Sequence, residues 1–246
     1  MATDEVKTLS NPPNDIVSGT SDDDDKPILS SHALEALKEF LQEQQNHTED
    51  HTNDNEDVKL VTEDWRLSQF WYDSSTAETV AEEVIELLKN DNDSQNPNSK
   101  AAVCIACPTL YAYIKKMEGG GVRVELLEYD KRFEQYGTDF TFYDYNEPLE
   151  LPSQFKHSFD VVVADPPYLS KECLEKVAQT ISFLAKPEKS HLLLLTGEVQ
   201  TERAAEFLGL HPCGFRPQHS NKLGNEFRLF TNYEPGTRLG GWEHEK

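Results

Sequence analysis

The residues best suited to chemistry are four in a row, Asp165-Pro166-Pro167-Tyr168, which directly follow the apolar run at residues 161–164. The two prolines fix φ and remove two backbone donors, while their carbonyl groups remain as acceptors. A carboxylate, a carbonyl and an aromatic ring therefore meet where a strand ends. The set suits an amino group, because the oxygens accept its N–H bonds and the ring covers its face. We predict that all four are catalytic; the alternative is a plain turn, which Asp and Pro both favour.

An amine held in this way keeps its lone pair free to point elsewhere. If a methylsulfonium lies along that direction, in-line transfer can follow with the reacting atoms roughly 3–3.5 Å apart. A protonated amine must first lose a proton, because an ammonium group has no lone pair. The loop therefore predicts methylation of a nitrogen. It leaves open whether Asp165 is the base or only orients the amine.

The chain after residue 100 predicts a sheet that positions this loop. Short apolar runs alternate with segments of helical periodicity, which is typical of an α/β fold with a mostly parallel, doubly wound sheet and helices on both faces. We predict strands at residues 101–106, 122–127, 140–142, 159–164, 190–196, 213–216 and 227–232, and helices after Asp73, around residues 110–117, after Ser170 and at residues 198–208. Ligands of such sheets bind beyond the carboxyl ends of the strands.

Composition divides the chain into four parts. Residues 1–27 predict a disordered acidic tail, with four consecutive aspartates at 22–25. Residues 28–57 predict an N-terminal helix followed by a polar linker. The folded domain is expected at residues 58–235, and residues 236–246 are expected to form a flexible C-terminal tail.

The charge and the cysteines narrow the function class. The formal net charge is −22, which argues against a phosphate-binding surface and favours a basic partner. No apolar run is long enough to span a membrane, and the first residues lack the features of a secretory signal. The four cysteines suggest no disulfide framework, and neither they nor the eight histidines suggest a metal site. We therefore expect a cytoplasmic protein without a metal.

The catalytic loop resembles the Asn/Asp-Pro-Pro-Tyr/Phe signature of class I amino-methyltransferases, which act on nucleic-acid bases, protein glutamines or protein lysines. Further segments occur with it in order: Ser31-His32-Ala33-Leu34-Glu35-Ala36-Leu37, Ser68-Gln69-Phe70-Trp71-Tyr72, Glu128-Tyr129-Asp130-Lys131-Arg132-Phe133, Phe142-Tyr143-Asp144-Tyr145-Asn146 and Asn225-Glu226-Phe227-Arg228. Together they resemble the eukaryotic elongation factor 1-alpha lysine methyltransferase family, earlier labelled as adenine-specific DNA methyltransferases on the loop alone.

This resemblance implies a seven-stranded, Rossmann-like class I methyltransferase fold. It also implies S-adenosyl-L-methionine as the methyl donor and a lysine of elongation factor 1-alpha, a protein, as the acceptor. Methylation of an adenine amino group in nucleic acid is the alternative, in which Tyr168 stacks on a flipped base. The acidic charge counts against that alternative.

Within such a fold, the residues that follow the second and third strands are candidates for donor binding. Glu128 continues the alternation of its strand and is preferred to Asp130 as acceptor for the ribose hydroxyls, while a solvated acid is the plainer role of Asp130. Tyr129 flanks the adenine or simply packs. Asp144 accepts from the adenine amino group or favours a turn, and Tyr145 is a possible stacking neighbour.

The turn after the first strand departs from the usual glycine-rich pattern, because it reads Ala106-Cys107-Pro108-Thr109. Cys107 and Pro108 are the donor-binding candidates there. Segment 68–72 is expected to fold over the donor, with Gln69 and Tyr72 as polar contacts. Trp71 attracts the sulfonium, as aromatic rings attract other cations, or anchors the core.

Overall fold

The computed structural model of the chain describes residues 60–89, 100–118, 121–221 and 226–243. These residues all fall within one unit of the chain, residues 55–246. The acidic tail and the N-terminal helix and linker, expected at residues 1–57, lie outside the described residues, as does Asn225. No helix in the described ranges is both long and apolar enough to cross a membrane.

Seven strands form one sheet in the order β3-β2-β1-β4-β5-β7-β6. The strands are β1 (Ala101–Ile105), β2 (Arg123–Glu128), β3 (Phe140–Phe142), β4 (Val161–Ala164), β5 (His191–Gly197), β6 (His211–Pro212) and β7 (Phe227–Thr231). Strands β1 to β5 pair in parallel, whereas β7 is antiparallel to both β5 and β6. This confirms the predicted seven-stranded, mostly parallel sheet of a Rossmann-like class I methyltransferase fold.

Helices cover both faces of the sheet. They are α1 (Ser74–Lys89), α2 (Pro108–Glu118), α3 (Lys171–Leu184) and α4 (Thr201–Leu208), with short 3-10 segments at Trp65–Leu67, Lys131–Asp139, Ser153–Phe155, Glu198–Gln200 and Thr237–Leu239. Apolar residues of α1 and α2 pack on one face and those of α3 and α4 on the other. Two separate apolar cores therefore hold the strand ends in place.

Strand β4 shows why the central strands read as apolar runs. Val161 and Val163 enter one core while Val162 and Ala164 enter the other, and all four are buried. Each valine buried in this way stabilises the fold by roughly 1.5–3 kcal/mol. The predicted catalytic loop, residues 165–168, therefore starts from a buried strand flanked by β1 and β5.

The structure differs from the prediction in one strand, in the start of one helix and in the C-terminal segment. The strand expected at residues 213–216 lies at His211–Pro212, and only Cys213 forms a further bridge, to Trp242. The helix expected from residue 198 begins at Thr201, after a 3-10 turn. Residues 236–243, expected to be flexible, pack on the domain, because Leu239 is fully buried and the Trp242 indole donates to Thr231 Oγ1 at 2.9 Å.

Candidate active site

A cavity of about 400 Å³ opens at the carboxyl ends of β1, β2 and β4. The strand order reverses between β1 and β4, which is where doubly wound sheets bind ligands. The volume of the cavity is typical of small-molecule sites. The lining residues are 67–72, 106–109, Glu128, 165–169, His219 and Phe227.

Asp165 lies at this cavity, as predicted. Its backbone N–H donates to the Ile105 carbonyl at 3.0 Å, which extends the pairing of β4 with β1 by one residue. The Tyr72 hydroxyl donates to Asp165 Oδ2 at 2.8 Å. Burial raises the pKa of Asp165 to about 8, while the Tyr72 hydrogen bond opposes that rise and the Glu128 carboxylate adds to it. A carboxyl group perturbed in this way in a cavity is typical of a functional site.

The rest of the predicted catalytic loop also lines the cavity. Pro166 is buried, Pro167 is half-buried and Tyr168 is 44% exposed. The Tyr168 ring meets Tyr145 edge-on, with centroids 5.8 Å apart. Ser170 then caps α3 by accepting the Cys173 N–H at 3.1 Å, which fixes the far end of the loop.

Glu128 ends β2 and shares the cavity with Asp165, as predicted. Its Oε1 accepts the backbone N–H groups of Tyr129 at 3.1 Å and Asp130 at 3.2 Å. Only 6% of its surface is exposed, and this burial raises its pKa to about 7 against the effect of those hydrogen bonds. Glu128 is therefore a buried acceptor that hydroxyl donors would stabilise.

The turn after β1 keeps a glycine-like backbone although it contains no glycine. Ala106 has φ of 55°, in the left-handed region, and its N–H donates to the Leu127 carbonyl at 2.8 Å. An alanine in this conformation costs roughly 1–2 kcal/mol. Pro108 begins α2, where a missing N–H is tolerated. The departure from the glycine-rich sequence pattern therefore leaves the turn open to a ligand.

Asp130 braces the cavity wall. It is 6% exposed, so its expected role as a solvated acid is wrong. Its Oδ2 accepts Gln69 Nε2 at 2.9 Å and Arg132 Nε at 2.8 Å. Gln69 Oε1 in turn accepts the Asp64 N–H and Arg132 Nη2, each at 3.0 Å. The predicted contact Gln69 does line the cavity, but its amide joins segment 64–72 to the end of β2.

Trp71 serves as an anchor, one of the two roles that were left open, while its attraction of the sulfonium stays a prediction. Its indole N–H donates to the Val61 carbonyl at 3.0 Å, and its ring meets Phe133 edge-on at 6.2 Å. These contacts make it an anchor for the segment. It also lines the cavity, together with Tyr72, Cys107 and Pro108.

The structure does not bring four of the predicted donor-binding residues to this cavity: Tyr129, Asp130, Asp144 and Tyr145. Tyr129 is 52% exposed and lies against Phe142, with centroids 5.5 Å apart. Asp144 Oδ1 accepts the Asn146 N–H at 2.8 Å, the turn role given as its alternative. Asp144 lies two residues after β3, the edge strand of the sheet, where its carbonyl accepts the Glu147 N–H at 2.9 Å in a turn. The expectation that Asp144 shares the cavity with Glu128 is therefore wrong.

Sequence reasoning missed His219, since the histidines show no pattern. His219 stacks on Tyr72 with ring centroids 4.5 Å apart and meets Phe227 edge-on at 4.6 Å. Burial lowers the pKa of His219 to about 4, so the ring is neutral near pH 7. No sequence signal could find it, because it reaches the cavity from the segment between β6 and β7. The sequence analysis named Phe227 only within the segment Asn225-Glu226-Phe227-Arg228 and predicted no role for it.

The residues present fit the donor that the resemblance implies, S-adenosyl-L-methionine. Glu128 has a buried carboxyl group at the cavity that would accept from its ribose hydroxyls. The amino-terminal end of α2 borders the cavity, where Thr109 has a buried hydroxyl with no hydrogen-bond partner. Helix N-termini favour a carboxylate. No three His, Cys, Asp or Glu side chains in the described ranges gather as a metal site requires.

Comparison with known proteins agrees with this geometry. A family model described as "Probable N6-adenine methyltransferase" matches residues 63–235. "EEF1A lysine methyltransferase 1" of Mus musculus is 46% identical, over 88% of this chain and 96% of its own length. The Homo sapiens protein of the same name is 41% identical, over 89% and 98%. "Protein-lysine N-methyltransferase M142.8" of Caenorhabditis elegans is 37% identical, over 87% and 97%.

The matches run through every segment of the cavity wall, because residues 63–235 include the loop at Asp165, the turn at Ala106 and segment 67–72. The chain covers nearly the whole length of relatives that are well above 30% identical to it. On this likeness, and on the class I sheet that carries the Asp-Pro-Pro-Tyr loop, the chain belongs to the EEF1A lysine methyltransferase 1 family.

Proposed function

We propose that the protein transfers a methyl group from S-adenosyl-L-methionine to the side-chain nitrogen of a lysine in elongation factor 1-alpha. The observation that carries the proposal is Asp165, a carboxyl group held by Tyr72 at a cavity that also contains Glu128. The names of the relatives supply the acceptor protein. The net charge of −22 suits a basic protein partner.

In this function the residues of the cavity bind and orient the acceptor. Asp165 accepts an N–H of the amine, and the rings of Tyr168 and Phe227 pack against the apolar stem of the lysine. When bound, S-adenosyl-L-methionine supplies an electrophilic methyl group. The neutral His219 ring adds no positive charge that would repel the incoming ammonium group. Holding amine and donor in register accounts for most of the expected rate gain.

We place this activity in the cytoplasm. All four cysteines are free and buried, as is usual for proteins of a reducing compartment. Subcellular fractionation tests the location, and recovery in a secreted or membrane fraction would contradict it.

The activity is tested by incubating the full chain with labelled S-adenosyl-L-methionine and separate pools of elongation factor 1-alpha, DNA and RNA. We expect label in the elongation factor, on a lysine that tandem mass spectrometry locates. Asp165→Ala protein is the matched control and should transfer at least about 10²-fold less label while it still binds the donor in calorimetry. Label in nucleic acid alone would overturn the proposal in favour of adenine methylation.

A further inference from the structure

Tyr72 makes a contact that the proposed reaction does not by itself require. Its hydroxyl donates to Asp165 Oδ2 at 2.8 Å, across 93 residues of sequence. Tyr72 is only 4% exposed, so water does not compete well for that hydroxyl. A carboxylate accepts through two oxygens. One oxygen of Asp165 is therefore already engaged before any substrate arrives.

A second segment of the chain braces Tyr72 in this position. The His219 ring stacks on it at 4.5 Å and is itself held edge-on by Phe227 at 4.6 Å. The backbone is fixed as well, because Ser220 N–H donates to the Trp71 carbonyl at 2.9 Å. Tyr72 and His219 also form a bridge between their backbones. The ring is thus held on one face by His219, and its backbone is anchored by segment 219–220, which limits the freedom of its hydroxyl to leave Asp165.

We propose that Tyr72 is a positioning residue, whose hydroxyl holds Oδ2 of Asp165 and leaves Oδ1 to accept an N–H of the substrate amine. This inference rests on the proposed methyl transfer. It concerns which oxygen of Asp165 accepts from the substrate amine, and whether the carboxyl group is ionised when it does so. It requires no bond to Tyr72 to form or break.

The groups around Asp165 predict the direction in which its pKa changes when the Tyr72 hydroxyl is removed. The titratable groups near Asp165, one from each segment around it, are Tyr72, Cys107, Glu128, Tyr168 and, behind Tyr72, His219. Among these, Tyr72 lowers the pKa of Asp165, while burial and Glu128 raise it to about 8. Removing the hydroxyl raises that pKa further. At a given pH a smaller fraction of Asp165 is then ionised and able to accept from the amine.

The test compares Tyr72→Phe with Tyr111→Phe in the full chain. Tyr111 is a matched control, because it is equally buried and donates its hydroxyl to Asp139 at 3.0 Å, outside the cavity. For Tyr72→Phe we expect kcat near pH 7.5 to fall roughly tenfold, the effect of one hydrogen bond to a charged group. The donor KM should change less than about twofold. The rise of rate with pH should move to higher pH, so that part of the loss is recovered there.

Ionisation of the substrate lysine also contributes to that rise, but it is common to all variants, so the difference between profiles reports on Asp165. Carbon-13 NMR titration of the Asp165 carboxyl group in the protein without substrate gives a readout independent of turnover. Its pKa should be higher in Tyr72→Phe than in wild type and unchanged in Tyr111→Phe. In an Asp165→Asn background, adding Tyr72→Phe should produce no further pH shift.

Unchanged profiles and an unchanged Asp165 titration in Tyr72→Phe would overturn the inference. If that variant does not fold, His219→Ala removes the ring that stacks on Tyr72. It should raise the pKa of Asp165 by a smaller amount, and an unchanged pKa would contradict the inference. A wild-type protein that fails to methylate elongation factor 1-alpha contradicts the proposed function instead. The two failures are therefore distinguishable.

Discussion

The molecule contains two pairs in which a buried tyrosine donates its hydroxyl to an aspartate. Tyr72 donates to Asp165 at 2.8 Å inside the cavity, and Tyr111 of α2 donates to Asp139 at 3.0 Å outside it. The tyrosines are 4% and 2% exposed, and burial raises the pKa of both phenols. In local geometry the two pairs are nearly alike.

Their electrostatic surroundings are opposite. Lys115 Nζ lies 2.9 Å from Asp139 Oδ2, so that carboxylate is balanced by a cation. Asp165 instead faces the Glu128 carboxylate, and its pKa is raised to about 8. A carboxylate paired with a cation stabilises structure, whereas a partly buried carboxyl group without a cation destabilises the fold, and a bound amine can relieve that cost. The charged group beside each tyrosine–aspartate pair, rather than the pair itself, therefore distinguishes the candidate active site.

Replacing each aspartate by alanine should give the largest difference in methyl-transfer rate between the two pairs. Asp165→Ala should lower methyl transfer at least about 10²-fold, because the amine loses its main acceptor. Asp139→Ala should leave transfer within about twofold, because Asp139 does not line the cavity. Single-turnover rates with saturating donor measure both. Similar losses in the two variants would show that the cavity pair has no special role.

The second comparison is stability against pH. The pKa of Asp165 is raised from 3.8 to about 8 on folding, so the folded state binds more protons between those values. Its contribution to stability is therefore present below about pH 4 and is lost as pH rises to about 8. Asp165→Asn keeps an acceptor for Tyr72 without the charge. We expect it to raise the free energy of unfolding by about 1–3 kcal/mol at pH 8 and hardly at all at low pH.

Urea unfolding at pH 5 and pH 8 measures this effect. Asp139→Asn is the matched variant, and it should lose stability at both values, because it abandons the ion pair with Lys115. Equal slopes of stability against pH in wild type and Asp165→Asn would contradict the raised pKa.

The smallest effect is expected from Lys115→Met, which removes the cation from the control pair. A half-exposed ion pair of this kind contributes about 0.5–1 kcal/mol. The loss should shrink at high salt, because screening already weakens the pair. Methyl transfer should stay at the wild-type rate. Thermal unfolding at low and high salt checks the first two statements; a change in rate would show that the control pair also acts on the cavity.

Much of the fold could be predicted from periodicity. Strands β1 to β5 and β7 and the helices α1 to α3 lie within a few residues of their expected positions. Central strands such as β1 and β4 are buried on both faces and leave unbroken apolar runs, while the helices leave an apolar residue every three or four positions. The misplaced strand near Cys213 and the packed segment at residues 236–243 have a common cause. Both depend on the contact of Cys213 with Trp242, which joins residues far apart and leaves no periodic trace.

The sequence by itself determined that Asp165, two prolines and Tyr168 follow a β-branched strand, which predicts their place at the cavity because this order is a local property of the chain. It also predicted the place of Glu128, through the alternation of β2. Only the tertiary structure decided the partners of these groups. Tyr72 meets both Asp165 and His219 because the segment before α1, the segment after β6 and the end of β4 converge at the carboxyl ends of the strands. The raised pKa of Asp165 arises from that convergence, since burial and nearby charge belong to the folded assembly of segments.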